Sequence, residues 1–228
     1  MPMDADRGDR RVPAGASRES LASRLNDVWF AACQIVCWAV CLALFRYRAI
    51  RLARVPRRGP LILAVNHVSY LDPVLAGSAL PRPLHFMARR SLFIGGFGRL
   101  IRSVYAFPVD RDRADLQAVR EALALLARGR CLLVFPEGTR TADGRIGPLR
   151  AGFGLLARRS GAPIVPVYID GAFRVWPRHR RLPRPRAVRV WYGEPVRVAP
   201  DEDERSIVAR VGGALRALER EAAAAPAG

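Results

Sequence analysis

The chain has 228 residues, half of them hydrophobic, which is enough for one α/β domain with a full core. Its 38 basic residues, all arginine, face 20 acids, and the net charge of +18 favours anionic partners: a phospholipid surface, nucleic acid or an acidic protein. The four cysteines show neither pairing nor ligand spacing, which argues against a disulfide framework and against a bound metal.

Residues 1–20 are polar and arginine-rich and are expected to form a disordered basic tail. Residues 21–50 are expected to form an N-terminal membrane-associated helical segment, within which 28–45 carry no charge. As a helix that run is about 27 Å long, close to the ~30 Å hydrocarbon core, so it spans a bilayer, lies in its interface or forms half of a re-entrant hairpin. Trp29 sits where an interfacial anchor belongs, whereas Trp38 near the middle fits a straight span less well. Cys33, Cys37 and Cys41 recur on one helical face and read as small buried hydrophobes. The segment lacks a following small-residue cleavage site, which disfavours a cleaved signal peptide. Arg46, Arg48, Arg51, Arg54, Arg57 and Arg58 follow with no acid among them, so the positive-inside rule places what comes next on the cytoplasmic face of the membrane.

Residues 51–224 are expected to form the main folded domain. Strands are expected at 61–65, 84–87, 104–107, 131–135, 164–169 and 187–191. Leu116, Val119, Leu123 and Leu126 mark an amphipathic helix that Gly129 ends, residues 153–159 mark another, and 202–224 make a closing helix packing Ile207, Val211, Leu215 and Leu218. The alternation predicts an α/β fold, a mixed β-sheet covered by helices, with sites at strand ends. The stretch 174–189 carries seven arginines broken by three prolines. It reads as a solvated loop, or as an arm contacting lipid headgroups or an acidic carrier protein.

The chemistry concentrates just beyond the first of these strands, in Asn66-His67-Val68-Ser69-Tyr70-Leu71-Asp72-Pro73. His67 titrates near neutrality and suits a general base; Asp72 can hold its tautomer and stabilise its cation. The competing reading makes His67 a core histidine and Asp72 a helix N-cap with Pro73 at the first helical position. Pro136-Glu137-Gly138-Thr139-Arg140 follows another strand, and Arg111 closes the segment Tyr105-Ala106-Phe107-Pro108-Val109-Asp110-Arg111. Two arginines at strand ends suit a phosphate.

These blocks, together with Ile164-Val165-Pro166-Val167, resemble in order and spacing the glycerolipid acyltransferase family. The resemblance runs from about residue 51 to residue 198. Its His-x4-Asp signature implies His67 as catalytic base and Asp72 as orienting partner. The second block implies Arg111 as a phosphate ligand, and the third, matching the family letter for letter, implies Glu137, Gly138, Thr139 and Arg140 as substrate-binding residues. Tyr105 stands where the family often carries glycine, and Arg150 where many members carry lysine. The implied reaction moves an acyl chain from acyl-CoA or acyl-carrier protein, as donor substrate and with no cofactor, to lysophosphatidic acid, giving phosphatidic acid. Glycerol 3-phosphate, other lysophospholipids or a lyso-aminolipid are alternative acceptors, and a lipid-ester hydrolase is a further reading that lacks an evident nucleophile. The expected partners are a phospholipid membrane, a lysophospholipid acceptor and the acyl carrier protein. A nucleic-acid binder would account for the charge but not for the ordered blocks, so nucleic acid is not expected as a partner.

Overall fold

A computed structural model describes residues 14–110 and 115–226, with side chains from residue 25. Strands β1 (Arg48–Ile50), β2 (Leu61–Val65), β3 (Leu84–Arg89), β4 (Ala106–Val109), β5 (Cys131–Val134), β6 (Ile164–Asp170) and β7 (Arg189–Tyr192) form one sheet. Their order is β1-β7-β6-β2-β5-β3-β4, all neighbours parallel except β6 and β7. The mixed α/β sheet expected from the alternation is present. Helices α1 (Ala14–Phe45), α2 (Asp72–Gly77), α3 (Gly95–Ser103), α4 (Leu116–Ala127), α5 (Ala151–Ser160), α6 (Ala172–Val175) and α7 (Glu204–Ala224) complete it.

The central strand β2 is buried on both faces, and its side chains part with period two. Leu61, Leu63 and Val65 join a core that includes Phe30, Cys41 and Phe45 of α1 and Leu75 of α2. Ile62 and Ala64 point into a second core with Ala118, Ala122 and Leu126 of α4, Leu156 of α5 and Ile207, Val211 and Leu215 of α7. The closing helix buries the residues expected of it, and Asp203 caps it by accepting from the amides of Arg205 and Ser206.

The structure departs from expectation in several places. Helix α4 buries Ala118, Ala122 and Leu126 while Leu116 is exposed, because the small alanines allow closer approach to the sheet than the leucine stripe would. The strand expected from residue 104 starts at Ala106, since Tyr105 has a φ of +67° and cannot continue an extended run. The tail expected to be disordered to residue 20 is already helical from Ala14: Ala-Gly-Ala-Ser-Arg-Glu-Ser adds turns to an existing helix and needs no nucleus of its own; residues 1–13 lie outside the described residues. The boundary expected at residue 51 also fails: β1 pairs with β7, and Phe30, Cys41, Phe45 and Tyr47 are core residues. Helix α1 is therefore part of the domain. All four cysteines are free, with Cys41 and Cys131 buried.

Candidate active site

Because β2 and β5 are parallel and Ala64 pairs with Val134, the two loops that follow them leave the same sheet edge in step. His67 and Glu137 each lie three residues beyond that paired position, which brings the first and third sequence blocks together. Strand β6 flanks β2 on its other side, where Val65 pairs with Val167. Asn66 is locked there by its own amide group, which donates to the Ile169 carbonyl at 3.3 Å and accepts from the Ile169 amide at 2.7 Å. This clamp fixes the start of the His67 loop, a role not foreseen in the sequence although Asn66 adjoins the histidine.

His67 Nδ1 lies 2.8 Å from Asp72 Oδ2, and both residues are buried. The same oxygen accepts from the amides of Val68 at 2.7 Å and Ser69 at 2.8 Å. Asp72 is not the cap of α2. That position falls to Leu71, with Pro73 one place further into the helix than expected, and the Asp72 carboxylate turns back to the histidine loop. Burial pushes the Asp72 carboxyl above the usual carboxylate range, while the His67 ring and the Ser69 and Val68 amides pull against it. Its Oδ1 is buried with no hydrogen-bond partner among the described residues. The imidazole stacks on Phe135, centroids 3.8 Å apart and planes 13° off parallel.

Glu137 was expected to meet a substrate. In the structure its carboxylate ties the blocks together, Oε1 accepting from the His67 amide and Oε2 from the Gly147 amide, both at 2.8 Å. Burial raises its carboxyl, and those two amides oppose the rise. The Thr141 amide closes the contact from the other direction by donating to the His67 carbonyl at 2.9 Å. Gly138 has a φ of +73°, and a Cβ there would come within 2.5 Å of Arg150 Nε, which donates to the Glu137 carbonyl. The backbone conformation favours glycine here, and a Cβ would also push the Arg150 side chain off the Glu137 carbonyl. Thr139 is exposed on the outside of this turn. The Arg140 guanidinium lies 3.6 Å over the Tyr70 ring, so the last residue of the third block rests on a residue of the first. Arg111 lies outside the described residues; Asp110 just before it donates its amide to Asp115 Oδ2.

The arrangement provides a histidine held in one tautomer by a buried carboxylate, beside an arginine braced on an aromatic ring. Histidine and carboxylate together make a general base, and the arginine offers an oxyanion ligand.

The sequence profile of the Acyltransferase family matches residues 47–170. A 1-acyl-sn-glycerol-3-phosphate acyltransferase of Bacillus subtilis is 31% identical over 118 residues, 51% of this chain and 58% of that protein. One of Cocos nucifera is 29% identical over 148 residues, 63% of this chain and 48% of that protein. The chain thus spans about half the length of these curated relatives. The crystal structure of the 1-acyl-sn-glycerophosphate (LPA) acyltransferase PlsC from Thermotoga maritima superposes with a TM-score of 0.71 at 27% identity, covering 80% of this chain and 74% of that one. The profile match takes in more than half of the chain, from the start of the sheet to the end of β6, and encloses every site residue described above; the chain belongs to the Acyltransferase family.

Proposed function

We propose that the chain is a 1-acyl-sn-glycerol-3-phosphate acyltransferase, moving a fatty acyl group from a CoA or carrier-protein thioester to the free hydroxyl of lysophosphatidic acid. The observation that carries this reading is the 2.8 Å contact between His67 Nδ1 and Asp72 Oδ2 at the sheet edge, beside Arg140. With the Nδ1 proton directed to Asp72, the neutral ring has Nε2 as its acceptor nitrogen. Nε2 takes the hydroxyl proton as the hydroxyl oxygen attacks the thioester carbonyl carbon. The tetrahedral centre then collapses, the C–S bond breaks, and the imidazolium returns the proton to the departing thiolate. Asp72 stabilises the imidazolium between these steps. Arg140, whose Nη1 is buried without a partner among the described residues, and Arg111 hold the acceptor phosphate. Glu137 and Gly138 shape the loop that presents Arg140.

The reading includes membrane docking on the cytoplasmic face. Residues Leu25–Phe45 of α1 are long and apolar enough to cross a bilayer, with a mean hydropathy of 2.2. One side of this helix packs along the domain: Gln34 donates to the Gly77 and Leu80 carbonyls, and Trp29 to Ser103 Oγ. The other side leaves Val28, Ile35, Val36 and Leu44 exposed, and Ile94, Phe97 and Leu100 at α3 are exposed as well. A helix held lengthwise in this way enters the interface side-on. An apolar groove of about 110 Å³ between α1 and α2, lined in part by Phe30, Val74 and Phe86, offers room for hydrocarbon next to the helix that bears Asp72.

The test is thiol release by the purified chain in detergent, with acyl-CoA or acyl-carrier protein as donor and a panel of lysophospholipid acceptors. Release that depends on lysophosphatidic acid, and falls by about 10² to 10⁴ in His67→Ala, is the expected result. Equal release without any acceptor would identify a hydrolase and refute the transfer reading.

A further inference from the structure

The arginine-rich stretch after β6 folds into an arm that makes one wall of a concave cleft of about 460 Å³. Arg174, Arg180, Arg184 and Arg186 line it from the arm, Phe173 forms part of its floor, and Arg46 closes it from the end of α1. Among the described residues, none of these five arginines has a carboxylate within ion-pair distance; the arginines that do, such as Arg51, Arg189 and Arg210, lie elsewhere. Five unneutralised guanidinium groups around one concavity repel each other, and an anion in the cleft would relieve that repulsion.

Two further observations say where the anion comes from. Arg46 directly follows the last residue of the apolar helix and has a φ of +42°, the left-handed conformation that glycine adopts most easily at a helix end. A non-glycine residue held there carries backbone strain. Here the strained residue is the one that supplies the cleft with its charge from the membrane side. Leu182, at the tip of the arm between Arg181 and Arg184, is 75% exposed, an apolar contact flanked by headgroup-binding charges.

We propose that the cleft binds the phosphate of an anionic phospholipid in the bilayer, with Arg46, Arg174, Arg180, Arg184 and Arg186 as its ligands. The inference rests on the membrane docking of α1 and is independent of the acyl-transfer chemistry. The arm is also tied to the first block, because the Trp176 carbonyl accepts from Ser69 Oγ at 3.0 Å and from the Tyr70 amide at 3.2 Å. The arm that walls the cleft is therefore bonded directly to the loop that carries His67.

The experiment compares sedimentation of the full chain with vesicles of phosphatidylcholine alone and of phosphatidylcholine with about one-third phosphatidylglycerol. The triple variant Arg180→Gln, Arg184→Gln, Arg186→Gln is expected to lose about a hundredfold in affinity for the anionic vesicles and to keep its affinity for phosphatidylcholine. A control triple on α7, Arg205→Gln, Arg216→Gln, Arg220→Gln, removes the same charge and should lose much less. Arg46→Gly should bind anionic vesicles about fivefold more weakly with an unchanged or higher melting temperature, because it relieves the strain as it removes the charge. Equal losses in the two triple variants would reduce the effect to net charge and overturn the site. Release of the wild type from anionic vesicles by adenosine 3′,5′-bisphosphate, absent in the cleft variant, would overturn the lipid assignment in favour of a soluble nucleotide. Failure of the wild type to bind phosphatidylcholine overturns the docking of α1, while the difference between the triple variants on anionic vesicles still decides the cleft.

Discussion

Asp72 holds three partners on one oxygen, and each partner predicts a different consequence of changing it. An asparagine keeps an acceptor for the Val68 and Ser69 amides and loses only the charge that stabilises a protonated His67. Asp72→Asn should therefore melt close to the wild type yet lose rate heavily, and its loss should not add to that of His67→Ala because the pair acts as a unit. Glu137 behaves differently, since both of its oxygens accept from backbone amides. Glu137→Gln leaves one of those amides facing an NH₂ group, at a cost of about 1–3 kcal/mol. We expect a melting temperature lower by several degrees and a fall in kcat larger than the rise in acceptor KM, as steady-state kinetics with varied acceptor would record. His85 offers a test by pH: burial, helped by Arg130, lowers its pKa from 6.5 to about 4. The unfolded chain then takes up the proton first as pH falls, so stability present above pH 6.5 is lost between 6.5 and about 4, by about 3 kcal/mol in all. Thermal melts of His85→Gln should show a shallower acid limb over that window than those of the wild type.

At the scale of elements, the attachment of α1 depends on a few polar contacts set into an apolar seam. Gln34 Nε2 donates to two carbonyls at the end of α2, 2.7 and 2.9 Å away. Tyr105 adds its hydroxyl to Asp27, stacks on His85 with centroids 4.6 Å apart, and meets Phe30. These contacts explain why a tyrosine occupies a left-handed position that glycine would fill without strain: its side chain secures the helix. Gln34→Leu leaves both carbonyls without their donor, and hydrogen exchange should show faster opening of α1 and α2 while the amides of β2 and β5 stay protected.

For the whole molecule, the packing of α1 along the domain decides which topology the proposed membrane docking takes. A spanning helix would put residues 25 and 46 on opposite sides of the bilayer; a side-on helix keeps both on one side. With the native cysteines replaced by alanine, Leu25→Cys and Arg46→Cys should both react with an impermeant thiol reagent added outside sealed vesicles carrying the protein on their outer surface. Labelling of only one of them would show a span. Removing everything before Arg51 is a poorer test, because it also deletes β1 and takes Phe30, Cys41, Phe45 and Tyr47 out of the core.

The buried strands, the closing helix and the apolar character of residues 28–45 were legible in the sequence, because hydrophobic periodicity and chain length are local properties. So were the chemical groups of the site, since His67, Asp72, Glu137 and Arg140 stand in contiguous blocks whose order survives folding. What those groups touch was settled by tertiary structure. Parallel pairing of β2 with β5 brings the Glu137 carboxylate to the His67 backbone across a separation of 70 residues, and only that register assigns it to holding the loop together. The edge strand β1 is three residues long and too short to show a period, and it exists because β7 offers it a partner. The local signals at Asp72 fitted a helix cap, and its carboxylate was drawn to the histidine loop because the buried Val68 and Ser69 amides and the imidazole needed an acceptor there.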